Sequence, residues 1–306
     1  MAYELENKLV VGISSRALFD LTVENQIFEK DGVEAYSKYQ REHEDEILKP
    51  GPGFGIIRSL LSMNKLTGQN GRVEVIVMSR NSADTSLRVF NSITHYGLEI
   101  SRAVLASGAS LAPYLAAFKT DLFLSAYEDD VQSAVNSNIA AGIICSDGIH
   151  TYDYEKIIRP IRIAFDGDAV LFSDESEQIY QEKGLEAFEE NERQNARNPL
   201  HAGPFAKFLI TISKLQQEFK GEEAMIRTAL VTARSAPAHE RVIRTLRAWN
   251  VRVDEAFFLG GVSKKEILKA FGANIFFDDQ AVHTNAAAEV VPSARVPLKK
   301  NAENVI

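Results

Sequence analysis

Two carboxylates one residue apart close an apolar run: Ile161-Arg162-Ile163-Ala164-Phe165 leads directly into Asp166-Gly167-Asp168. Ionised carboxylates this close repel each other, and desolvating them costs several kcal/mol unless something compensates. A metal cation would compensate; so would a task that needs one charged carboxylate beside a protonated one. Three further polar groups follow apolar runs in the same half of the chain. Thr232-Ala233 follows Ala229-Leu230-Val231, Lys264 or Lys265 lies in GGVSKKEIL, and Asp278-Asp279 follows Ile275-Phe276-Phe277. If those runs are strands, all four groups sit at strand carboxyl ends or the following helix starts, where open α/β sheets bind ligands.

These residue types suit phosphoryl transfer to a carboxylate. An aspartate nucleophile divides a very slow hydrolysis into two easier steps. Mg²⁺ takes an oxygen shell that one or two carboxylates can help supply, here Asp166 with Asp278 or Asp279. Thr232 and neighbouring backbone N–H groups can hold phosphate oxygens. A lysine neutralises phosphate and nucleophile together. An aspartate two residues beyond the nucleophile can protonate the leaving oxygen and then deprotonate the attacking water. Each feature alone is an ordinary turn, cap or exposed side chain; their joint order after successive apolar runs is what carries the chemistry.

The elements that must position these groups follow from the apolar pattern. Leu9–Ile13, Val73–Met78, Asp121–Leu124, Ile161–Phe165, Thr228–Val231 and Asn274–Phe277 read as buried strands. Between them lie segments with helical spacing, such as Leu87, Phe90, Ile93 and Tyr96, or Val242, Leu246 and Trp249. The alternation predicts an α/β fold with a mostly parallel sheet. Charged, helix-prone stretches near 20–50 and 174–222 interrupt it and read as helical insertions, the second as a cap. The polar tail Lys299–Ile306 reads as frayed.

The chain also repeats itself. Residues 79–126 slide onto 232–279 at an offset of 153 with eleven identities, among them Arg88/Arg241, Gly108/Gly261 and Phe123/Phe276. Residues 13–36 match 165–188 at an offset of 152, with Gln26/Gln178, Gly32/Gly184 and Glu34/Glu186. A duplicated α/β domain follows, residues 1–150 and 151–306, with the boundary near 146–158. The 306 residues suit two ordinary domains, and the net charge of −8 opposes general nucleic-acid or membrane-surface binding. A single cysteine, Cys145, forbids an intrachain disulfide, and no apolar run reaches transmembrane length. The expectation is a cytoplasmic protein, with the oligomeric state open and a homo-oligomer included.

The four-part pattern resembles the haloacid dehalogenase-like phosphatases. The strings GISSRALFDL, YQREHEDEILKPGPGF, RVFNSITHYGL, RIAFDGDAVLFSDESE, LVTARSA and IFFDDQ are similar to the cytosolic 5′-nucleotidase type I family over nearly the whole chain. The resemblance implies duplicated haloacid dehalogenase-like (Rossmannoid) parallel-sheet domains. It also implies Mg²⁺-dependent hydrolysis of nucleoside 5′-monophosphates, AMP or pyrimidine deoxymonophosphates, through an aspartyl-phosphate. By it Asp166 is the nucleophile and Asp168 the acid/base. Thr232, Ala233 and Lys264 hold phosphate, Lys264 being preferred to Lys265 by the family's spacing from the preceding glycines. Asp166, Asp168, Asp278 and Asp279 form the metal end. Two rival readings remain, a phosphatase for another small phosphometabolite and a nucleotide-binding regulatory protein.

The repeat supplies an internal control. Ser14 stands opposite Asp166, Arg16 opposite Asp168, Ser79 opposite Thr232, Leu111 opposite Lys264, and Ser125-Ala126 opposite Asp278-Asp279. The first half therefore lacks nucleophile, lysine and metal carboxylates and should be catalytically silent. Ser14, Arg16, Ser79 and Arg80 suggest instead a metal-free cationic pocket for a phosphate group, of a regulatory nucleotide or of a substrate. The alternative is that Arg16 and Arg80 merely pair with acids such as Asp20 or the Glu42–Glu46 run. The six histidines show no metal-ligand spacing, and GPGFG, Gly51 to Gly55, reads as a turn leading into a helix.

Overall fold

The computed structural model describes residues 4–66, 71–144, 159–219 and 225–300. The described residues up to Ile139 form one compact unit, and those from Ala140 onward form a second. The boundary expected at 146–158, Cys145, and residues 301–306 of the tail lie outside the described residues.

The first unit has strands β1 (Leu9–Ile13), β2 (Val73–Ser79), β3 (Arg102–Leu105) and β4 (Leu122–Ser125), all parallel, in the order β3-β2-β1-β4. Its helices are α1 (Ser15–Leu18), α2 (Thr22–Glu42), α3 (Phe54–Ser62), α4 (Leu87–His95), α5 (Ala112–Ala117) and α6 (Glu128–Asn136). The second unit has β5 (Ala140–Ile144), β6 (Ile161–Phe165), β7 (Ile226–Thr232), β8 (Glu255–Phe258), β9 (Ile275–Asp278) and β10 (Ser293–Arg295). Their order is β5-β10-β9-β6-β7-β8, parallel except for the β5–β10 pair. Its helices are α7 (Glu175–Gln194), α8 (Ala206–Glu218), α9 (His239–Ala248), α10 (Lys264–Phe271) and α11 (Ala281–Ala288).

The two units repeat one plan, since β8-β7-β6-β9 reproduces β3-β2-β1-β4. Local devices repeat with it. Leu48 N–H donates to Ser92 Oγ at 2.9 Å, and Leu200 N–H donates to Thr245 Oγ1 at the same distance. Helices α2 and α7 both kink at glycine, with φ of 82° at Gly32 and 81° at Gly184, a backbone region that side chains rarely enter.

The strands expected from apolar runs are present with ends shifted by a residue or two. Strands β3, β5, β8 and β10 were not expected. Of these β3 and β8 are edge strands and only partly buried, and each carries a charged residue, Arg102 or Glu255. The charged stretch 174–222 divides into two unlike helices. Only α7 is mostly exposed, whereas α8 buries Phe208, Leu209, Ile212 and Leu215 and is a core helix. Helix α3 buries Phe54, Ile57 and Leu60 in the same way. Among the described residues no helix is long and apolar enough to cross a membrane.

Candidate functional site

Strand register brings the acids together. Parallel strands β6 and β9 pair Phe165 with Phe277, and their rings stack at 5.7 Å between centroids. Phe205 and Phe208 close around the same pair. Because Asp166 and Asp278 are the next residues on adjacent strands, they emerge side by side at about the 4.8 Å strand spacing. The Asp166 N–H donates to Phe277 O at 2.8 Å, which locks that register at the strand end. On the other flank β7 pairs Leu230 with Phe165, so Thr232 reaches the level of Gly167. A Cβ at Gly167 would lie 3.3 Å from Thr232 Oγ1, so glycine keeps this approach open.

Lys264 begins α10, whose N-cap is Ser263. Its Nζ donates to Asp278 Oδ2 at 2.6 Å and lies 2.9 Å from Asp166 Oδ1. Lys265 points elsewhere and pairs with Glu289. Asp166, Asp278 and Asp279 each offer a carboxylate oxygen, and these oxygens lie within 4.8 Å of one another. Asp166, Lys264 and Asp278 are buried. Asp278 also accepts the Gln280 N–H at 2.9 Å and contacts His283 Nδ1 at 3.2 Å.

Burial pushes the Asp166 carboxyl up to about 7 against the pull of Lys264, helped by the charges of Asp278 and Asp168. Asp279 is likewise pushed up to about 7 by burial and by Asp166 and Asp278. Burial also raises Asp278, but His283, Lys264 and the Gln280 N–H together outweigh it and hold that carboxyl below its ordinary value. Burial disfavours the Lys264 ammonium, yet Asp166 and Asp278 hold its pKa above normal. Three acids thus face one lysine. Excess negative charge on hard oxygen donors fits a divalent cation such as Mg²⁺, and Asp166, Asp278 and Asp279 are the side chains that could hold it.

Asp168 stands apart from this cluster. Both its carboxylate oxygens are taken by Arg234, through Nε at 2.8 Å and Nη2 at 2.6 Å. Asp168, expected at the metal end, thus spends its side chain on a guanidinium. Arg234 is buried and also pairs with Glu192 from α7, which is bound in turn by Arg241 and by Ser176 Oγ at 2.9 Å. Despite burial, Asp168 and Glu192 raise the Arg234 pKa. The Arg234 guanidinium lies 5.3 Å from the centroid of the Phe188 ring, so α7 and the Asp168 turn meet through one arginine. Thr232 Oγ1 accepts the Arg234 N–H at 3.2 Å, and Ala233 between them is exposed.

Arg234, Glu192 and Arg241 were not singled out from the sequence. One signal was available, the Arg88/Arg241 identity in the repeat. Arg88 is buried and pairs with Glu24. At the 152 offset Glu24 corresponds to Ser176 and Gln40 to Glu192, so each unit supplies one acid to this arginine from opposite ends of its long helix. His283 was read as ordinary but touches Asp278.

Of the two arginines expected to bind an anion in the first unit, Arg80 has an acid partner and Arg16 an aromatic one. Arg80 pairs with buried Asp130 through Nε at 2.7 Å, a partner not anticipated, and the Arg16 guanidinium sits 5.5 Å from the Tyr127 ring centroid. Ser14 Oγ caps the Ala17 N–H at 3.2 Å. Ser79 Oγ accepts the Asn81 N–H and contacts Ser15 Oγ. Asp130, the partner of Arg80, stands where the second unit has His283.

Known proteins align with this chain along its length. Human cytosolic 5′-nucleotidase 1B is 38% identical over 292 residues, covering 92% of this chain and 47% of that protein. The chain thus spans about half the length of that curated relative. Among solved structures, histidinol dehydrogenase from Elizabethkingia anophelis aligns with 98% of this chain and 76% of that one. Its TM-score is 0.23 at 8% identity, a likeness that carries no argument. The family model described as 5′-nucleotidase matches residues 1–303, and with the 38% identity this establishes that the chain belongs to the 5′-nucleotidase family.

Proposed function

We propose that the second unit is a Mg²⁺-dependent phosphoric monoester hydrolase that converts nucleoside 5′-monophosphates, AMP or pyrimidine deoxymonophosphates, to nucleoside and phosphate. The observation that carries the reading is the in-register emergence of Asp166 and Asp278 with Lys264 between them. Family membership supplies the substrate class.

Asp166 Oδ attacks phosphorus, the P–O5′ bond breaks, and Asp168, once it has taken up a proton and freed an oxygen from Arg234, gives that proton to the leaving 5′ oxygen. The resulting aspartyl-phosphate is hydrolysed when Asp168 takes a proton from water and the water oxygen attacks phosphorus, freeing the Asp166 carboxylate and phosphate. Arg234 orients Asp168 by its two-pronged grip. Lys264 and the Thr232 hydroxyl, with the adjacent Ala233 backbone, hold phosphate oxygens. A divalent cation held by Asp166, Asp278 and Asp279 supplies neutralising charge at the phosphate. Helix α7 is the cap, and Tyr180 and Phe188 offer rings to the nucleoside. The first unit, with Ser14, Leu111 and Ser125 at the corresponding positions, is silent in this chemistry.

The test is phosphate release from AMP, dCMP and sugar phosphates with Mg²⁺ and with excess chelator. Release from nucleotides only in the presence of the metal is expected. Equal or faster turnover of sugar phosphates would overturn the substrate assignment.

A further inference from the structure

The first unit contains a cavity of about 610 Å³, a size that suits a small organic ligand. It does not coincide with the carboxylate cluster. Phe28 and Tyr36 from α2 line it, meeting edge to face at 5.9 Å on either side of the Gly32 kink, together with Tyr127. Ser15, Arg80 and Asn81 line it from the strand ends. The Tyr36 hydroxyl is hydrogen-bonded by the Gln40 amide at 3.0 Å and by Asn81.

The second unit carries the same ring device. Tyr180 and Phe188 meet edge to face at 6.3 Å around Gly184 and occupy the positions of Phe28 and Tyr36 at the 152 offset. Exposure matches too: Phe28 is 50% and Val33 62% exposed, against 48% for Tyr180 and 58% for Leu185. Large apolar groups are thus held open to solvent at equivalent places in both units, although the phosphate-handling groups survive in only one. Leu111 replaces Lys264 and is buried, and Ser125 replaces Asp278 with its Oγ taken by the Tyr127 N–H. The charges that line the first cavity are balanced internally, Arg80 by Asp130 and Glu24 by Arg88. What remains for a ligand is aromatic surface with neutral hydrogen-bonding groups.

We propose that the first unit holds a second, non-hydrolytic site that takes an uncharged nucleoside, its base against Phe28, Tyr36 and Tyr127. The nucleoside class rests on the substrate reading of the second unit; the site itself rests on the first unit's cavity. Aromatic rings grip any base face, and a phosphate-free ligand needs no net positive charge. Nucleoside is also the product proposed for the other unit.

The test soaks crystals of the full chain with 8-bromoadenosine and with 5-bromo-2′-deoxycytidine and locates bromine by its anomalous signal. Bromine beside Phe28 and Tyr127 with either probe is expected. Bromine only in the second unit, or in neither, overturns the proposal. In solution, adenosine and deoxycytidine are titrated by calorimetry into wild type, Phe28→Ala and Tyr180→Ala. One binding event should weaken about tenfold or more in Phe28→Ala and persist in Tyr180→Ala. A set of events unchanged by Phe28→Ala overturns the proposal, as does inorganic phosphate displacing the first-unit nucleoside. AMP hydrolysis is measured on the same samples. Hydrolysis without first-unit binding sinks this inference alone, and first-unit binding without hydrolysis sinks only the reading of the second unit.

Discussion

Glu192→Gln probes the buried quartet that fixes Asp168. Two guanidiniums, Arg234 and Arg241, face two carboxylates, Asp168 and Glu192, and the set is neutral. Glu192 is fully buried and both arginines nearly so. The substitution leaves one uncompensated positive charge. It also forces an amide group against a guanidinium, since Oε2 serves Arg234 while Oε1 serves Arg241 and Ser176. Removing one partner of a buried ion pair costs about 3–5 kcal/mol. At about 2–4 °C per kcal/mol for a unit of this size, the lower figure lowers Tm by roughly 6–12 °C. Trp249, the only tryptophan, lies 5.6 Å from Phe172 between ring centroids, so its fluorescence against urea or temperature follows the second unit. Glu190→Gln is the control. It breaks an exposed pair with Arg193 and should cost under about 1 kcal/mol. Adding Arg241→Met to Glu192→Gln restores charge balance, so the double variant should lose less than the sum of the singles by about 1–3 kcal/mol. If Glu192→Gln costs no more than Glu190→Gln, the charge-compensation argument is wrong.

The remaining predictions concern the site and the kinks. Asp166→Asn should lower turnover of AMP by about 10³-fold or more, and beryllium fluoride should bind wild type at Asp166 but not this variant; a near-normal rate would remove Asp166 as nucleophile. Excess chelator should abolish phosphate release and Mg²⁺ should restore it, while also raising Tm, because without the metal the three acids Asp166, Asp278 and Asp279 crowd together against Lys264 and His283; a Tm indifferent to Mg²⁺ would count against metal binding there. Lys264→Met should cripple turnover by about 10²-fold or more and Lys265→Met should leave it within about twofold, since Lys265 pairs with exposed Glu289; equal losses would refute the distinction. Gly184→Ala should destabilise the second unit by about 1–3 kcal/mol, a cost of backbone conformation because a Cβ there meets nothing within 4 Å; an unchanged urea midpoint would show that α7 straightens at no cost.

The alternation of strands and helices was legible in the sequence because β1, β2, β6, β7 and β9 are mostly buried and each carries a run of apolar residues. The duplication was legible too, because two nearly constant offsets align residues with equivalent tasks in both units. Chain order also put Asp166, Thr232, Lys264 or Lys265 and Asp278-Asp279 at the ends of apolar runs or the helix starts after them, and the family resemblance preferred Lys264. Edge strands β3 and β8 were not legible, since a strand paired on one side tolerates charge and loses the apolar signature. Which charges meet was settled by packing. Asp168 and Arg234 are 66 positions apart, Glu192 and Arg241 are 49 apart, and Arg80 and Asp130 are 50 apart. An arginine's partner depends on which acid the packed backbone brings within about 3 Å, and spacing along the chain does not encode that distance. The same packing gave Arg80 an acid partner and Arg16 an aromatic one, and it set Asp168 on a guanidinium while Asp166, Asp278 and Asp279 converged on common ground.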